Sequence, residues 1–132
     1  MRKFNKKKLP SRYTTLGADR APQRSFYYAM DLTEKDVAKP FVGVVSTWNE
    51  AAPCNINLMK QAQFVKQGVN ASGGTPREFC TITVTDGIAM GHEGMKSSLI
   101  SRDVIADSTE LTVRGHCYDA LVGLAGCDKS LP

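Results

Sequence analysis

Residues 41–47 read FVGVVST, and this stretch decides the class of fold. The run is apolar and rich in β-branched residues, and its length is that of a strand with both faces buried. Residues 79–85 (FCTITVT) and residues 119–125 (DALVGLA) have the same character. The sequence therefore predicts three buried strands.

Two helical patterns lie between these strands. Residues 55–69 carry apolar side chains at helical spacing, and the small residues and proline of residues 72–76 stop the pattern. Ser97 and Ser98 are expected to cap a second helix that ends near Gly115. The side chains predicted to face the core are Ile56, Met59, Ala62, Val65 and Val69 in the first helix and Ile100, Val104, Ile105 and Leu111 in the second. The order β-α-β-α-β predicts an α/β fold, in which right-handed helical crossovers join the strands of a parallel sheet.

The first 40 residues differ from the rest of the chain. Prolines and a glycine interrupt them, and only residues 25–30 and 33–37 have a helical pattern. We expect residues 1–40 to form a basic tail and an arm, and residues 41–132 to form a partial α/β domain. The chain has 132 residues, of which 42% are hydrophobic and 23% are charged, as in one ordinary globular domain.

Positive charge is concentrated at the start of the chain. Beyond the first eight residues there are 12 basic and 13 acidic residues. The basic residues of the first eight are Arg2, Lys3, Lys6, Lys7 and Lys8. We expect a short solvated terminus. Nucleic acid is not an expected partner, because no aromatic residues alternate with basic ones further along. Salt-dependent binding of nucleic acid through the tail remains the alternative.

Membrane and secretion signals are also absent from the sequence. It contains no apolar run of the roughly 18 residues that a membrane span requires, and Leu9 and Pro10 follow the basic start in place of an apolar signal core. We expect a cytoplasmic protein without membrane contact, with a degenerate organelle transit segment as the alternative. Reduced thiols or metal ligands are then expected at the four cysteines. Cys80 and Cys117 are predicted to be structural.

Chemistry is expected at one edge of the sheet. Ligands of open parallel sheets bind beyond the carboxyl ends of the strands. The residues that follow the predicted strands are Cys54, Asp86, Cys127, Asp128 and Lys129. Thiols suit iron-sulfur clusters or zinc, whereas carboxylates suit magnesium or manganese. The position of Cys54 before a helix favours its thiolate form. Inert cysteines and a polar loop are the alternatives, and His92 and His116 are not expected to be ligands.

Three phrases resemble the dihydroxy-acid and sugar-acid dehydratase family. They are AAPCN (residues 51–55), GGTPREFCTITVTDGIAMGHEGMKSSLISRDVIADS (residues 73–108) and GHCYDALVGLAGCDKSLP (residues 115–132). The resemblance extends from about residue 11 to residue 132. It implies a hydro-lyase that converts a 2,3-dihydroxy acid such as 2,3-dihydroxyisovalerate into a 2-keto acid in isoleucine and valine biosynthesis. The alternatives are a sugar-acid or phosphogluconate dehydratase and a non-catalytic metal-binding module.

The resemblance also implies roles for single residues. Cys54 and Cys127 would bind an iron-sulfur cluster, of which the 2Fe-2S type is favoured over 4Fe-4S because a cysteine stands at position 54. Asp86 and Asp128 would bind Mg²⁺ together with Lys129, whose amine would carry a carbamate. Members of the family are several times longer, so the chain is expected to be an N-terminal fragment of a two-domain, homodimeric enzyme. The catalytic base, a serine in the family, would lie beyond Pro132, and the fragment would be inactive alone.

Overall fold

The structure is a computed structural model that describes residues 4–132. Three strands, β1 (Phe41–Ser46), β2 (Thr75–Cys80) and β3 (Ala120–Leu124), form one sheet in the order β2-β1-β3. Both neighbours run parallel to β1, and Val44 of β1 pairs with Glu78 on one side and Val122 on the other. The predicted α/β fold with a parallel sheet is confirmed.

Six α-helices accompany the sheet within the described part of the chain. They are α1 (Arg12–Thr15), α2 (Ala21–Ala29), α3 (Glu34–Val37), α4 (Leu58–Ala71), α5 (Asp86–Ala89) and α6 (Gly94–Gly115). Short 3₁₀ turns occupy Lys6–Lys8, Ala18–Arg20 and Asp128–Ser130. Helix α4 connects β1 to β2, and α6 precedes β3, as the pattern predicts. None of the helices in residues 4–132 is long and apolar enough to cross a membrane.

The predicted position of the second strand is wrong. It begins at Thr75 and ends at Cys80, whereas the apolar pattern places it at residues 79–85. The last residue of β1, Ser46, pairs with Cys80, so little of β1 remains for residues 81–85 to pair with. Pro76 is tolerated in the strand because β2 lies at the sheet edge, where a missing N–H costs no ladder bond.

The core is centred on β1. Phe41 and Val44 are completely buried, and Ala62 and Leu58 of α4 are buried as well. Within the predicted α4 pattern, Val65 and Val69 are partly buried. Ile56 and Met59 are wrong predictions, because each is about half exposed. Ile56 lies in the turn before α4, which begins only at Leu58.

Helix α6 buries hydroxyl groups in place of its large apolar side chains. Ser98 and Ser101 are its buried residues, and they lie inside the helix, so the predicted cap at Ser97 and Ser98 is wrong. Residues 81–86 present backbone carbonyl, hydroxyl and carboxylate groups to this helix, and serine side chains can bond them where apolar ones cannot. The helical periodicity predicted that three further side chains of α6 face the core, and this is wrong because all three are exposed: Ile100, Val104 and Leu111.

The arm is attached to the sheet through Asp119. One carboxylate oxygen accepts a hydrogen bond from the backbone N–H of Ser11 at 2.8 Å. The other accepts from the Ser11 hydroxyl at 2.5 Å and from the backbone N–H of Phe41 at 2.7 Å. Because Asp119 immediately precedes β3 and Phe41 begins β1, one side chain joins the arm to two strands.

The predicted solvated terminus is wrong for Lys6, whereas Arg2 and Lys3 lie outside the described residues. The Lys6 Nζ donates to the Lys39 carbonyl at 2.6 Å and lies 4.2 Å from the centre of the Phe41 ring. Burial lowers the pKa of Lys6 to about 8, although the charge of Asp119 opposes this shift. The first part of the arm therefore packs against the start of β1.

We expect Lys6→Met to flatten the pH dependence of stability in the alkaline range. Between the folded pKa of about 8 and the ordinary value of 10.5, the unfolded chain binds a proton that the folded chain does not. Stability should therefore rise with pH in this window, and the variant should lose that rise. Melting temperatures of the complete protein at about pH 7 and about pH 10 measure it. Lys7→Met, at an exposed position, is the control, and equal pH profiles for Lys6→Met and the unaltered protein would contradict the prediction.

Candidate functional site

The loops that follow β2 and β3 meet at the carboxyl edge of the sheet. The Lys129 Nζ lies 2.8 Å from Asp86 Oδ2 and also contacts Asp128 Oδ2. The side chains of Asp86 and Lys129 are 18% and 17% exposed, so their ion pair is partly shielded from water. The structure thus brings together three of the five residues that the sequence singles out.

The Asp86 carboxylate is fixed from two directions. It belongs to the first residue of α5, and its Oδ1 accepts a short hydrogen bond from the hydroxyl of Ser98. The hydrogen bond from Lys129, and then the one from Ser98, lower the pKa of Asp86 below its usual value. This carboxylate is therefore ionised and held in one orientation.

Lys129 stands between two carboxylates. The hydrogen bond to Asp128, followed by the one to Asp86, raises the pKa of Lys129 above its ordinary value. Two negative charges and one positive charge leave this cluster with a net negative charge. Oxygen ligands with such a charge suit a hard divalent cation.

Cys127 lies buried beside this cluster. Its side chain is 8% exposed, and its Sγ is 3.2 Å from the hydroxyl of Thr85, the residue before Asp86. Its backbone N–H donates to the hydroxyl of Ser130 at 3.2 Å. The thiol and the carboxylate cluster are therefore carried by the same two loops.

The loop of Cys54 touches the loop of Cys127 through backbone atoms. A Cβ at Gly126 would lie 2.3 Å from the carbonyl oxygen of Cys54, so only glycine permits this approach. Asn55 is fully buried, and its Nδ2 donates to the carbonyl and the hydroxyl of Thr47, both at 2.6 Å. These contacts hold the exposed Cys54 at the same edge as Cys127.

The predicted helix-end effect on Cys54 is wrong. Helix α4 begins at Leu58, so a turn separates Cys54 from its first residue. The field of a helix end falls off within about one turn. Each of the other two cysteines has one polar contact: Cys80 Sγ lies 3.5 Å from the Ser46 hydroxyl of the neighbouring strand, and Cys117 Sγ donates to the Arg114 carbonyl at 3.6 Å.

Sequence reasoning missed the residues that orient the site. Asn55 and Ser98 lie inside the phrases that carry the family resemblance, but nothing in their spacing indicates their partners. Gly126 and Thr85 adjoin Cys127 and Asp86 in the sequence, and this adjacency is the one signal that was available. Gly126 and Thr85 act where separate loops meet, whereas Asn55 bonds within its own loop and Ser98 acts from α6.

The donor chemistry of the edge fits the two expected metal groups. Within residues 4–132, no three Cys, His, Asp or Glu side chains lie close enough to enclose a metal ion. The thiols of Cys54 and Cys127 are soft ligands, whereas Asp86 and Asp128 supply hard oxygens. The arrangement thus offers one soft and one hard set of donors side by side.

The fold and site together define a class: a parallel α/β domain whose thiol, carboxylate and amine groups meet beyond the carboxyl ends of its strands. The chain belongs to the dihydroxy-acid/6-phosphogluconate dehydratase N-terminal family, whose model matches residues 39–132. The family expected from the sequence phrases is confirmed.

Dihydroxy-acid dehydratases of several organisms are similar to this chain. The chain is 90% identical to a dihydroxy-acid dehydratase of Pelagibacter ubique over its whole length, which is 23% of that protein. It is 78% identical to one of Parvibaculum lavamentivorans, with 98% of this chain and 22% of the relative covered. It is 56% identical to one of Sulfurisphaera tokodaii, with 88% and 21% covered. The chain thus spans less than a quarter of the length of these relatives.

Proposed function

We propose that the complete protein is a hydro-lyase that dehydrates a 2,3-dihydroxy acid of the 2,3-dihydroxyisovalerate type to a 2-keto acid in branched-chain amino-acid biosynthesis. The observation that carries this proposal is the 90% identity, over the whole chain, to a protein named dihydroxy-acid dehydratase. The proximity of Asp86, Asp128 and Lys129 to the loop of Cys127 supports it, because dehydration needs groups that withdraw charge from both reacting carbons.

Two groups of residues would hold the cofactors. Cys54 and Cys127 would bind an iron-sulfur cluster, with 2Fe-2S favoured, and Asp86, Asp128 and Lys129 would bind Mg²⁺. When bound, the cluster and Mg²⁺ would act as Lewis acids. They would stabilise the departing hydroxyl and the charge that develops at the carboxylate end of the substrate. A carbamate on Lys129 would replace an ammonium with oxygen donors, which suits a hard cation.

The residues of this chain would orient the ligand atoms and shield them from water, and none of them is proposed as the catalytic base. Loss of the C2 proton and of the C3 hydroxyl as water leaves an enol, which becomes the 2-keto acid by tautomerisation. Before a carbamate forms, the Lys129 ammonium and the Ser98 hydroxyl hold Asp86 ionised, so its carboxylate is available as an oxygen donor when the cation binds. Burial of Cys127 keeps water away from its sulfur. We assign the base to the part of the protein outside this chain.

The test is an anaerobic assay of the protein completed with its natural downstream sequence, run beside this chain alone. We expect keto-acid formation from 2,3-dihydroxyisovalerate by the complete protein only, and bound iron and sulfide only there. Gluconate and 6-phosphogluconate are the comparison substrates, because the family also contains phosphogluconate dehydratases by name. A preference for either would replace the proposed substrate, and turnover by the short chain would place the base within residues 1–132.

A further inference from the structure

Ser98 is a buried serine in the second turn of α6, and it faces the site. Its side chain is fully shielded from solvent. Its hydroxyl has two acceptors within reach: Asp86 Oδ1, at short range, and the carbonyl oxygen of Val84 at 3.0 Å. A hydroxyl has one hydrogen to donate, and a charged acceptor forms the stronger bond. The Asp86 carboxylate is therefore the principal partner of Ser98.

This hydrogen bond complements the ion pair on the other side of the carboxylate. Ser98 holds Oδ1 from α6, and Lys129 holds Oδ2 at 2.8 Å from the loop after β3. With both oxygens engaged, rotation about the Cβ–Cγ bond of Asp86 would break two charge-assisted bonds. Without Ser98, only Lys129 would constrain the carboxylate, and a carbamate on that lysine would end even this constraint.

We propose that Ser98 is a positioning residue, which fixes Asp86 so that Oδ2 faces the Mg²⁺ position shared with Asp128 and Lys129. This inference rests on the proposed function, since it assumes the metal site. Residues that orient a metal ligand in this way commonly change metal affinity by about 10- to 100-fold when removed.

A substitution at the neighbouring Ser101 distinguishes this positioning role of Ser98 from a purely structural one. Ser101 is 2% exposed, lies on the same face of α6, and donates its hydroxyl to the Ser98 carbonyl at 2.6 Å. Its hydrogen bond stays within the helix and does not reach Asp86. Ser98→Ala and Ser101→Ala therefore remove the same atom from equally buried positions, and only the first removes a contact to the site.

The experiment compares Mn²⁺ binding, by electron paramagnetic resonance, in the complete protein and in Ser98→Ala, Ser101→Ala and Asp86→Asn. We expect Ser98→Ala to bind about 10- to 100-fold more weakly and Ser101→Ala to match the unaltered protein, with equal iron and sulfide content in all three. Unchanged affinity in Ser98→Ala, or equal loss in both serine variants, would overturn the positioning role alone. If the unaltered protein binds Mn²⁺ no better than Asp86→Asn does, the proposed metal site fails, and the role of Ser98 fails with it.

Discussion

Cys127→Ser should strongly reduce iron-sulfur binding in the complete protein. A serine hydroxyl is a hard donor that stays protonated at neutral pH when it is free, so it is a much poorer ligand for cluster iron than a thiolate. Among the four cysteines of the described residues Cys127 is the buried one, and its contacts with Thr85 and Ser130 hold it in place. We expect at least a tenfold loss of iron, sulfide and visible absorbance, measured anaerobically, together with loss of turnover.

The remaining cysteines provide the controls for that result. Cys54→Ser should cause a comparable loss, because its loop lies against Gly126 at the same edge of the sheet. Cys80→Ser and Cys117→Ser should retain most of the cluster. These two sulfurs contact Ser46 and Arg114 and are not proposed as ligands. Equal loss in all four variants would refute the assignment of Cys54 and Cys127 as the ligands and would indicate a general effect on folding.

The central strand and the ends of the two long helices were predictable because single, strong local patterns define them. The run at residues 41–47 contains no polar residue before Ser46, and its burial on both faces made β1 the centre of the sheet. The end of α6 at Gly115 likewise matches its sequence pattern. These features depend on local composition, which the sequence displays directly.

The position of the second strand was predicted wrongly because pairing with β1, and not the local apolar pattern, decides where this strand lies. Thr75–Cys80 contains proline and two charged residues, and it forms a strand because β1 offers a free edge at that register. The more β-like residues 81–85 lie beyond the last pair, and their hydroxyl and carbonyl groups bond α6 instead. A strand at the edge of a sheet can carry polar residues that a central strand cannot.

The meeting point of the candidate site residues was predictable, whereas the contacts that orient them were not. The rule that ligands bind beyond the carboxyl ends of parallel strands selected Asp86, Asp128 and Lys129, which the structure brings together. It could not select Asn55 or Ser98, because their hydrogen bonds to Thr47 and to Val84 and Asp86 depend on how the chain folds back on itself between each pair. Such contacts depend on how far each loop extends, and residue type alone does not specify that.

Asp119→Asn should release the arm from the sheet. The substitution puts an amide group where an anionic carboxylate now accepts three hydrogen bonds, and an NH₂ at the position of Oδ2 would face the backbone N–H of Phe41. Hydrogen bonds to charged groups contribute about 1.5–3 kcal/mol each, so we expect local stability of the arm to fall by about 3 kcal/mol.

Limited proteolysis of the complete protein measures this change directly. The arm contains Arg12, Arg20 and Arg24, which trypsin can cleave once the arm opens. When opening and closing are fast relative to cleavage, about 3 kcal/mol corresponds to cleavage roughly 100-fold faster. Asp103→Asn, at an exposed position on α6, removes the same charge and should leave the rate unchanged. Equal rates in the two variants would mean that Asp119 does not hold the arm, and that the contacts of Lys6 with Lys39 and Phe41 suffice to dock it.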